Sequence, residues 1–298
     1  MTRVCFAILV HSDAPMFHRL VDTLLASDSA VVAHLDSKAD RAPFDRADVV
    51  WVADPVDVRW GGYSLTEAHV RATRAALTAD PEASHVMTLS GLDYLARPVA
   101  ELNATVEDGT SYFSFYEMRP GTQMHWVAQH RAYMDLYSRL RPTAMRRMAE
   151  KVVGLYDAKR PRPPFPPPWT PFRGSAWRCL ARDAAELVCL PDVSPERRAL
   201  RDRMRSVTIS DEIFEQTVVL NSPLAASVAG YPGDPAATEP TNGTDLHYID
   251  WSPEREDPAI LVLDDFDRIV ESRKFFVRKV TSAGSGALVD QLDRHLQH

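Results

Sequence analysis

Short apolar runs rich in Val, Ile and Phe alternate with helical patterns through the first third of the chain. That alternation commits it to a sheet assembled from strand-helix units. Residues 3–10 (RVCFAILV) form the first run. Ser12, Asp13 and Pro15 then make a helix-start signature, and Phe17, Leu20, Val21, Leu24 and Leu25 follow at helical spacing. A second run at about 29–35 ends in His34-Leu35-Asp36, and a third covers about 48–52. After Trp60-Gly61-Gly62-Tyr63, Ser64 and Glu67 have the spacing of a capping box, which predicts a helix reaching about residue 78. HVMTLS at 85–90 reads as a buried strand entering the loop Gly91-Leu92-Asp93-Tyr94. The second half is less regular, with a strand near 111–116 and a helix over about 143–157. The stretch PRPPFPPPWTP at 161–171 holds seven prolines, which exclude helix or central strand and predict a stiff extended loop. It is either a surface connection or, through Phe165 and Trp169, the lining of an acceptor cleft.

At 298 residues and 45% hydrophobic, the chain can bury a full core and is expected to form one compact domain with two functional halves. A net charge of -7 and a pI near 5.8 argue against a nucleic-acid binder, because phosphate backbones select clustered Lys and Arg. A neutral or small acceptor fits better. Cys5, Cys179 and Cys189 lack the short paired spacings of a zinc site and read as structural thiols. The first apolar run is too short to span a bilayer and no small-residue cleavage site follows it. With no disulfide framework either, the cytoplasm is the expected compartment.

Taken singly, the acidic and basic residues carry little information; their motifs speak through their order. From the N-terminus they run HLDSKAD (34–40), WGGYSLTEA (60–68), LSGLDY (89–94), GSAW (174–177), SDEIFEQTVVLNSP (210–223), LHYIDW (246–251) and FFVRKV (275–280). This series resembles the family of core 2 and I branching N-acetylglucosaminyltransferases and peptide O-xylosyltransferases, glycosyltransferase family 14, over nearly the whole chain. A bacterial-type member consisting of a bare catalytic domain is what the resemblance implies here.

The implied fold is α/β, a single Rossmann-like nucleotide-sugar transferase domain of GT-A type with a mixed central sheet flanked by helices. Residues 1 to about 105 would bind the nucleotide sugar, and about 106–298 would carry acceptor binding and catalysis. The implied activity is inverting, metal-independent transfer from a UDP-sugar, N-acetylglucosamine or xylose, to an acceptor hydroxyl, forming a β-glycosidic bond without a cofactor. Asp36 would lie near the uracil or ribose, since open α/β sheets bind ligands at the carboxyl edge; an Asp ending a strand or capping a turn is the plain alternative. Val10 and His11, ending the first strand, are further donor-side candidates. Asp93 stands where many nucleotide-sugar enzymes carry a D-x-D metal site, but residue 91 is glycine, and one carboxylate makes a poor Mg or Mn site. Arg278 and Lys279 match the family's terminal basic pair and would hold the diphosphate in place of a metal. Many relatives have arginine where this chain has His247, so phosphate binding would lean harder on that pair, with His247 still able to donate a hydrogen bond.

For the chemistry, the resemblance assigns Glu212 as the general base. From the residues alone, Ser210 reads as a helix cap with Asp211 and Glu212 in the first turn, where the helix dipole favours any carboxylate. Ile213, Phe214, Thr217, Val218 and Leu220 would supply the buried face. Asp211, Trp177 and Trp60 are acceptor-side candidates: Asp211 as an orienting carboxylate, Trp177 as a sugar platform or a core residue, Trp60 on a tight turn. No metal ligand is expected. Two rival classes remain, a sugar-phosphate transferase or nucleotidyltransferase on a similar fold, and a non-catalytic sugar-nucleotide or glycan-binding module in which Glu212 only caps a helix. Arg139, Arg141, Arg146, Arg147, Lys151, Lys159, Arg160 and Arg162 face only Glu150 and Asp157 between 139 and 162. A solvated helix face accounts for that basic patch; an anionic acceptor, or a peripheral membrane contact with a lipid-linked acceptor, is the sharper alternative.

Overall fold

A computed structural model describes all residues except 1, 28, 121–126, 128, 129, 141, 161, 193, 240–243, 256, 257 and 298. Arg141 of the basic stretch and Pro161 of the proline-rich loop therefore lie outside the described residues. The first half runs β1 (Val4–Val10), α1 (Ala14–Leu25), β2 (Val31–Leu35), β3 (Val50–Trp51), α2 (Tyr63–Ala79), β4 (His85–Ser90), β5 (Asp93–Leu95) and α3 (Val99–Thr105). The middle holds β6 (Tyr116–Glu117), α4 (Met134–Tyr137), α5 (Thr143–Lys159), β7 (Phe172–Arg173), β8 (Cys179–Ala181), α6 (Arg182–Cys189) and α7 (Pro195–Met204). Then come α8 (Phe214–Leu220), β9 (His247–Ile249), α9 (Phe266–Ser272), β10 (Phe276–Arg278) and α10 (Gly286–Leu296).

Among the described residues the main sheet has the order β3-β2-β1-β4-β8. Its first four strands are parallel, and β8 runs antiparallel to β4. This is the mixed central sheet flanked by helices that the motif series implies. All seven residues of β1 are buried because the sheet is covered on both faces. The alternation of side chains along β1 divides them between two cores. Phe6, Ile8 and Val10 meet Phe17, Leu20, Val21 and Leu24 of α1 and Leu288, Val289 and Leu292 of α10, while Cys5, Ala7 and Leu9 meet Ala68, Ala72 and Ala76 of α2 and the apolar residues of α8. A second sheet, β5-β10-β9, starts three residues after β4 and ties the C-terminal strand to LSGLDY.

Several local expectations change. Helix α2 begins at Tyr63 with Gly62 as its N-cap and no side-chain cap. Ser64, instead of capping, accepts from Arg59 N–H at 2.8 Å and donates to Asp135. The expected strand near 111–116 is reduced to isolated bridges from Ser111 to Val228 and Tyr112 to Cys179, followed by β6. In the proline-rich loop the Trp169 indole donates to Glu196 O at 2.9 Å, the Arg203 guanidinium lies over the Phe165 ring, and both rings pack on the second core. All three cysteines are free, and burial pushes each thiol up to about 12, as suits structural thiols.

One glycine is imposed by close packing. A Cβ at Gly174 would lie 1.6 Å from the Ser114 carbonyl oxygen, so any side chain there must push β6 and β7 apart. Gly174→Ala is expected to cost about 3 kcal/mol, the upper end of the overpacking range, as measured by chemical denaturation; a near-neutral result would mean that the 114–115 backbone yields freely.

Candidate active site

The acidic motif is built differently from its sequence reading. Ser210–Glu212 is a separate 3-10 turn entered through Ile209 in the left-handed region at φ 51°, and α8 starts only at Phe214. Ser210 does not cap α8; its hydroxyl pairs with Thr66 Oγ1 at 2.7 Å, fastening the turn to α2. Glu212 therefore precedes α8 instead of sitting in its first turn, and its charge is held by a side chain. Arg173 donates from Nε at 2.9 Å and from Nη2 at 2.6 Å to Glu212 Oε2. The pair is 21% and 27% exposed, open to solvent on one side. Among the described residues nothing hydrogen-bonds Oε1. Ile213, Phe214, Thr217, Val218 and Leu220 are buried as expected, and so is the rest of α8.

Behind this turn lies an ion pair that motif reading passes over. Arg178 is fully buried, and its Nε lies 2.6 Å from Glu215 Oε2, an oxygen on a side chain only 1% exposed. The pair is not aligned as a hydrogen bond, and Arg178 Nη2 and Glu215 Oε1 have no hydrogen-bond partner. Arg178 Nη1 donates instead to Asp211 O at 2.9 Å and to Ser175 O at 3.2 Å. Burial raises the Glu215 pKa, and the Arg178 cation pulls it back. Gln216 adds a 2.7 Å bond to Ser175 O, and Gly174 N–H donates to Glu212 O at 2.9 Å. The segment 173–178 thus grips 211–216 at both ends. Its only sequence trace is that an arginine follows GSAW and a glutamate follows Glu212 by three.

Asp211 is 6% exposed and its Oδ1 has no partner. Burial pushes its carboxyl up to about 7, and the adjacent Glu212 adds to the shift. It is turned away from solvent, so its expected place on the acceptor side becomes one behind Glu212.

On the donor side, Asp93 is fully buried and both of its oxygens are committed. Ser90 donates to Oδ2 through its N–H and to Oδ1 through its hydroxyl, each at 2.7 Å, and Arg278 Nη1 donates to Oδ1 at 2.9 Å. His247 Nε2 stands 3.3 Å from Oδ2 as a contact without hydrogen-bond alignment. Burial acts to raise the Asp93 pKa, but Arg278, with His247 and Ser90, outweighs it and holds the carboxyl below the usual range. Asp93 and His247 were both expected to meet the donor directly. Both side chains are buried; the His247 ring stacks on Phe276 and tilts against Trp177, and Asp93 meets Arg278. The Arg278 guanidinium also lies 4.4 Å over the Trp177 ring, so Trp177, expected on the acceptor side, is half-buried within the donor-side group. Gly91 has a steric cause: a Cβ there would lie 2.7 Å from Val10 Cγ2, leaving no room for the first carboxylate of a D-x-D pair.

Val10, His11 and Asp36 lie at the carboxyl edge of the sheet, and Lys279 follows Arg278 half-buried. Partial burial of the His11 ring, joined by the Arg278, Lys279 and Lys38 cations, lowers its pKa against the pull of Asp36. That mutual influence gathers four of the donor-side candidates, His11, Asp36, Arg278 and Lys279, in one neighbourhood with Lys38. Val10 is buried, with its carbonyl accepting from Asp36 N–H at 2.9 Å. The Asp36 carboxylate caps a turn through Lys38 N–H at 3.0 Å and is bound by Lys38 Nζ at 2.8 and 2.7 Å. Lys38, which motif reading did not single out, also reaches Asp57 and Val58 O. Trp60 is 79% exposed, and the carbonyl of its neighbour Gly61 accepts from Ile209 N–H at 2.9 Å, so the WGGY turn approaches the acidic loop through its backbone. A cleft of about 530 Å³ opens beside it, between Tyr63, Glu67, Arg71 and Arg139, and excludes Glu212 and Arg278. Among the described residues no three His, Cys, Asp or Glu side chains are grouped to hold a metal ion, and no helix is long and apolar enough to cross a membrane.

Two stability predictions follow from this geometry. Glu215→Gln leaves the Arg178 charge buried without compensation and is expected to cost about 3–5 kcal/mol in urea unfolding; a loss under about 1 kcal/mol would mean that Glu215 is already neutral. Because the Asp211 pKa is raised on folding, its stabilising contribution is complete below 3.8 and is lost as pH rises to about 7. Asp211→Asn is therefore expected to be more stable than the parent above that window and to lose the advantage below it, in thermal melts across pH.

No curated protein matches the chain. A solved structure described as a glycosyltransferase involved in the glycosylation of the major capsid of PBCV-1 aligns over 99% of this chain and 100% of its own. Its sequence identity of 10% and TM-score of 0.36 are too low to bear on fold or function. The family model of the Core-2/I-Branching enzyme matches residues 4–270, a span that holds every motif from HLDSKAD to LHYIDW, and the chain belongs to that family of glycosyltransferases.

Proposed function

We propose that this glycosyltransferase moves a sugar from a UDP-sugar, N-acetylglucosamine or xylose, to an acceptor hydroxyl with inversion and without a divalent metal. The observation that carries the proposal is the Glu212 carboxylate, with one oxygen held by Arg173 and the other unbonded at a solvent-open edge. A base must be ionised and must keep a lone pair directed at its proton. Arg173 fixes the carboxylate plane through two hydrogen bonds to one oxygen and leaves the other free to take a proton.

In the reaction, Glu212 Oε1 accepts the proton of the acceptor hydroxyl as that oxygen bonds to the anomeric carbon. The bond from that carbon to the diphosphate breaks on the opposite face, and an α-linked donor yields a β-linked product. Negative charge collects on the departing UDP, where Arg278 and Lys279 stabilise it. Asp93 holds Arg278 in place and is itself fixed by two bonds from Ser90. Two observations support independence from metal: position 91 has no space for a carboxylate, and the Asp93 oxygens are spent on Arg278 and Ser90. Asp36, with Val10 and His11, would bind the nucleoside at the sheet edge, with Lys38 locking the Asp36 carboxylate.

A UDP-release assay over a panel of UDP-sugars, run with EDTA and with added Mn, tests both parts. One UDP-sugar is expected to turn over in EDTA, and Glu212→Gln to lower kcat by on the order of 10²–10⁴-fold while keeping donor affinity. Full activity in Glu212→Gln would remove Glu212 as the base, and activity only with Mn would overturn the metal-free reading.

A further inference from the structure

Helix α5 carries a surface that the transfer reaction does not use. Met145, Met148, Val152 and Leu155 recur at i, i+3, i+7 and i+10, the spacing of one helical stripe. They are 51%, 69%, 59% and 56% exposed, and no residue of the helix is buried. The helix meets the rest of the molecule along a different line, through half-buried Ala149, Val153 and Asp157, with Asp157 accepting from Arg131 N–H at 2.8 Å. Contiguous exposed apolar surface of this kind marks a binding face.

The charges around the stripe select what covers it. Arg146 is neutralised by Glu150 at 2.8 Å, and Asp157 by Arg131. Arg147, Lys151 and Lys159 are exposed and have no ion-pair partner among the described residues, on a protein whose net charge is -7. Pairing α5 with a second copy of itself would set these cations against their own duplicates, which is unfavourable. An anionic lipid surface satisfies both features, taking the apolar stripe into the boundary between headgroups and acyl chains and placing the cations among the phosphates. Further exposed apolar side chains precede α5. Tyr133, the N-cap of α4, and Leu136 within it are 37% and 54% exposed, and Met134 lies beside the turn that carries exposed Trp60, whose neighbour Gly61 bonds Ile209 ahead of Glu212.

We propose that α5 is a peripheral membrane-docking helix that binds anionic phospholipid. The test is co-sedimentation of the full chain with phosphatidylcholine vesicles, with and without phosphatidylglycerol, beside two double variants, Arg147→Glu with Lys151→Glu and Met148→Ser with Leu155→Ser. All four side chains are exposed, so the fold is retained, and circular dichroism checks this. The expected result is binding only to phosphatidylglycerol vesicles, lost in high salt and weakened on the order of tenfold or more by either double variant. Equal binding to both vesicle types, binding that neither variant alters, or no binding at all would overturn the proposal. So would a dimer in sedimentation velocity that the serine pair abolishes while vesicles stay unbound, since the stripe would then be covered by a second copy.

Discussion

The guanidinium of Arg178 and the carboxylate of Glu215 meet in the interior, 2.6 Å apart and out of contact with solvent. Removing either partner would leave a bare charge in a medium that cannot solvate it, so the pair forces the segment after GSAW and the helix after SDE to stay together. The consequences spread along both segments. Arg178 also holds the Asp211 carbonyl, Gly174 holds the Glu212 carbonyl, and Arg173 reaches the Glu212 carboxylate. The candidate base is positioned by a frame of charge and backbone bonds, with no help from the first turn of a helix.

A second fixed point, Asp93, does the same for the donor side. It is a buried carboxylate that joins the ends of β4 and β10 by accepting from Ser90 and Arg278. Trp177 links the two fixed points, since its ring lies under Arg278 and its chain neighbours grip the acidic turn. The Arg278 cation and the Glu212 carboxylate are thereby carried on connected segments, as the proposed reaction needs. Preorganised charge of this kind costs no rearrangement when the reaction occurs, and this is where electrostatic stabilisation gains its strength.

Much of the scaffold was legible in order and spacing. Strand β1, helix α1 and strand β4 appear near their predicted bounds because a period of two or of 3.6 residues directly reflects which side is buried. Local polar signals were less reliable. Ser64 and Ser210 both have the sequence of a cap, yet each bonds a residue far along the chain, Asp135 and Thr66. A hydroxyl takes the best partner that tertiary packing brings near, and spacing along a helix cannot reveal that partner. The burial of Asp93 and His247 was equally hidden: a motif identifies the residue but not the direction in which its side chain is buried.

By itself the sequence determined the α/β layering, the family and the candidate base, because apolar periodicity and motif order are properties of the chain. Tertiary structure alone decided what those residues touch. Only contacts between segments distant in sequence could show that Arg173 holds Glu212, that Val10 excludes a carboxylate from position 91, and that the apolar stripe of α5 faces outward. Hydrophobic pattern reports that a side chain needs covering, whereas ion pairing, close approach and exposure depend on what arrives from elsewhere in the fold.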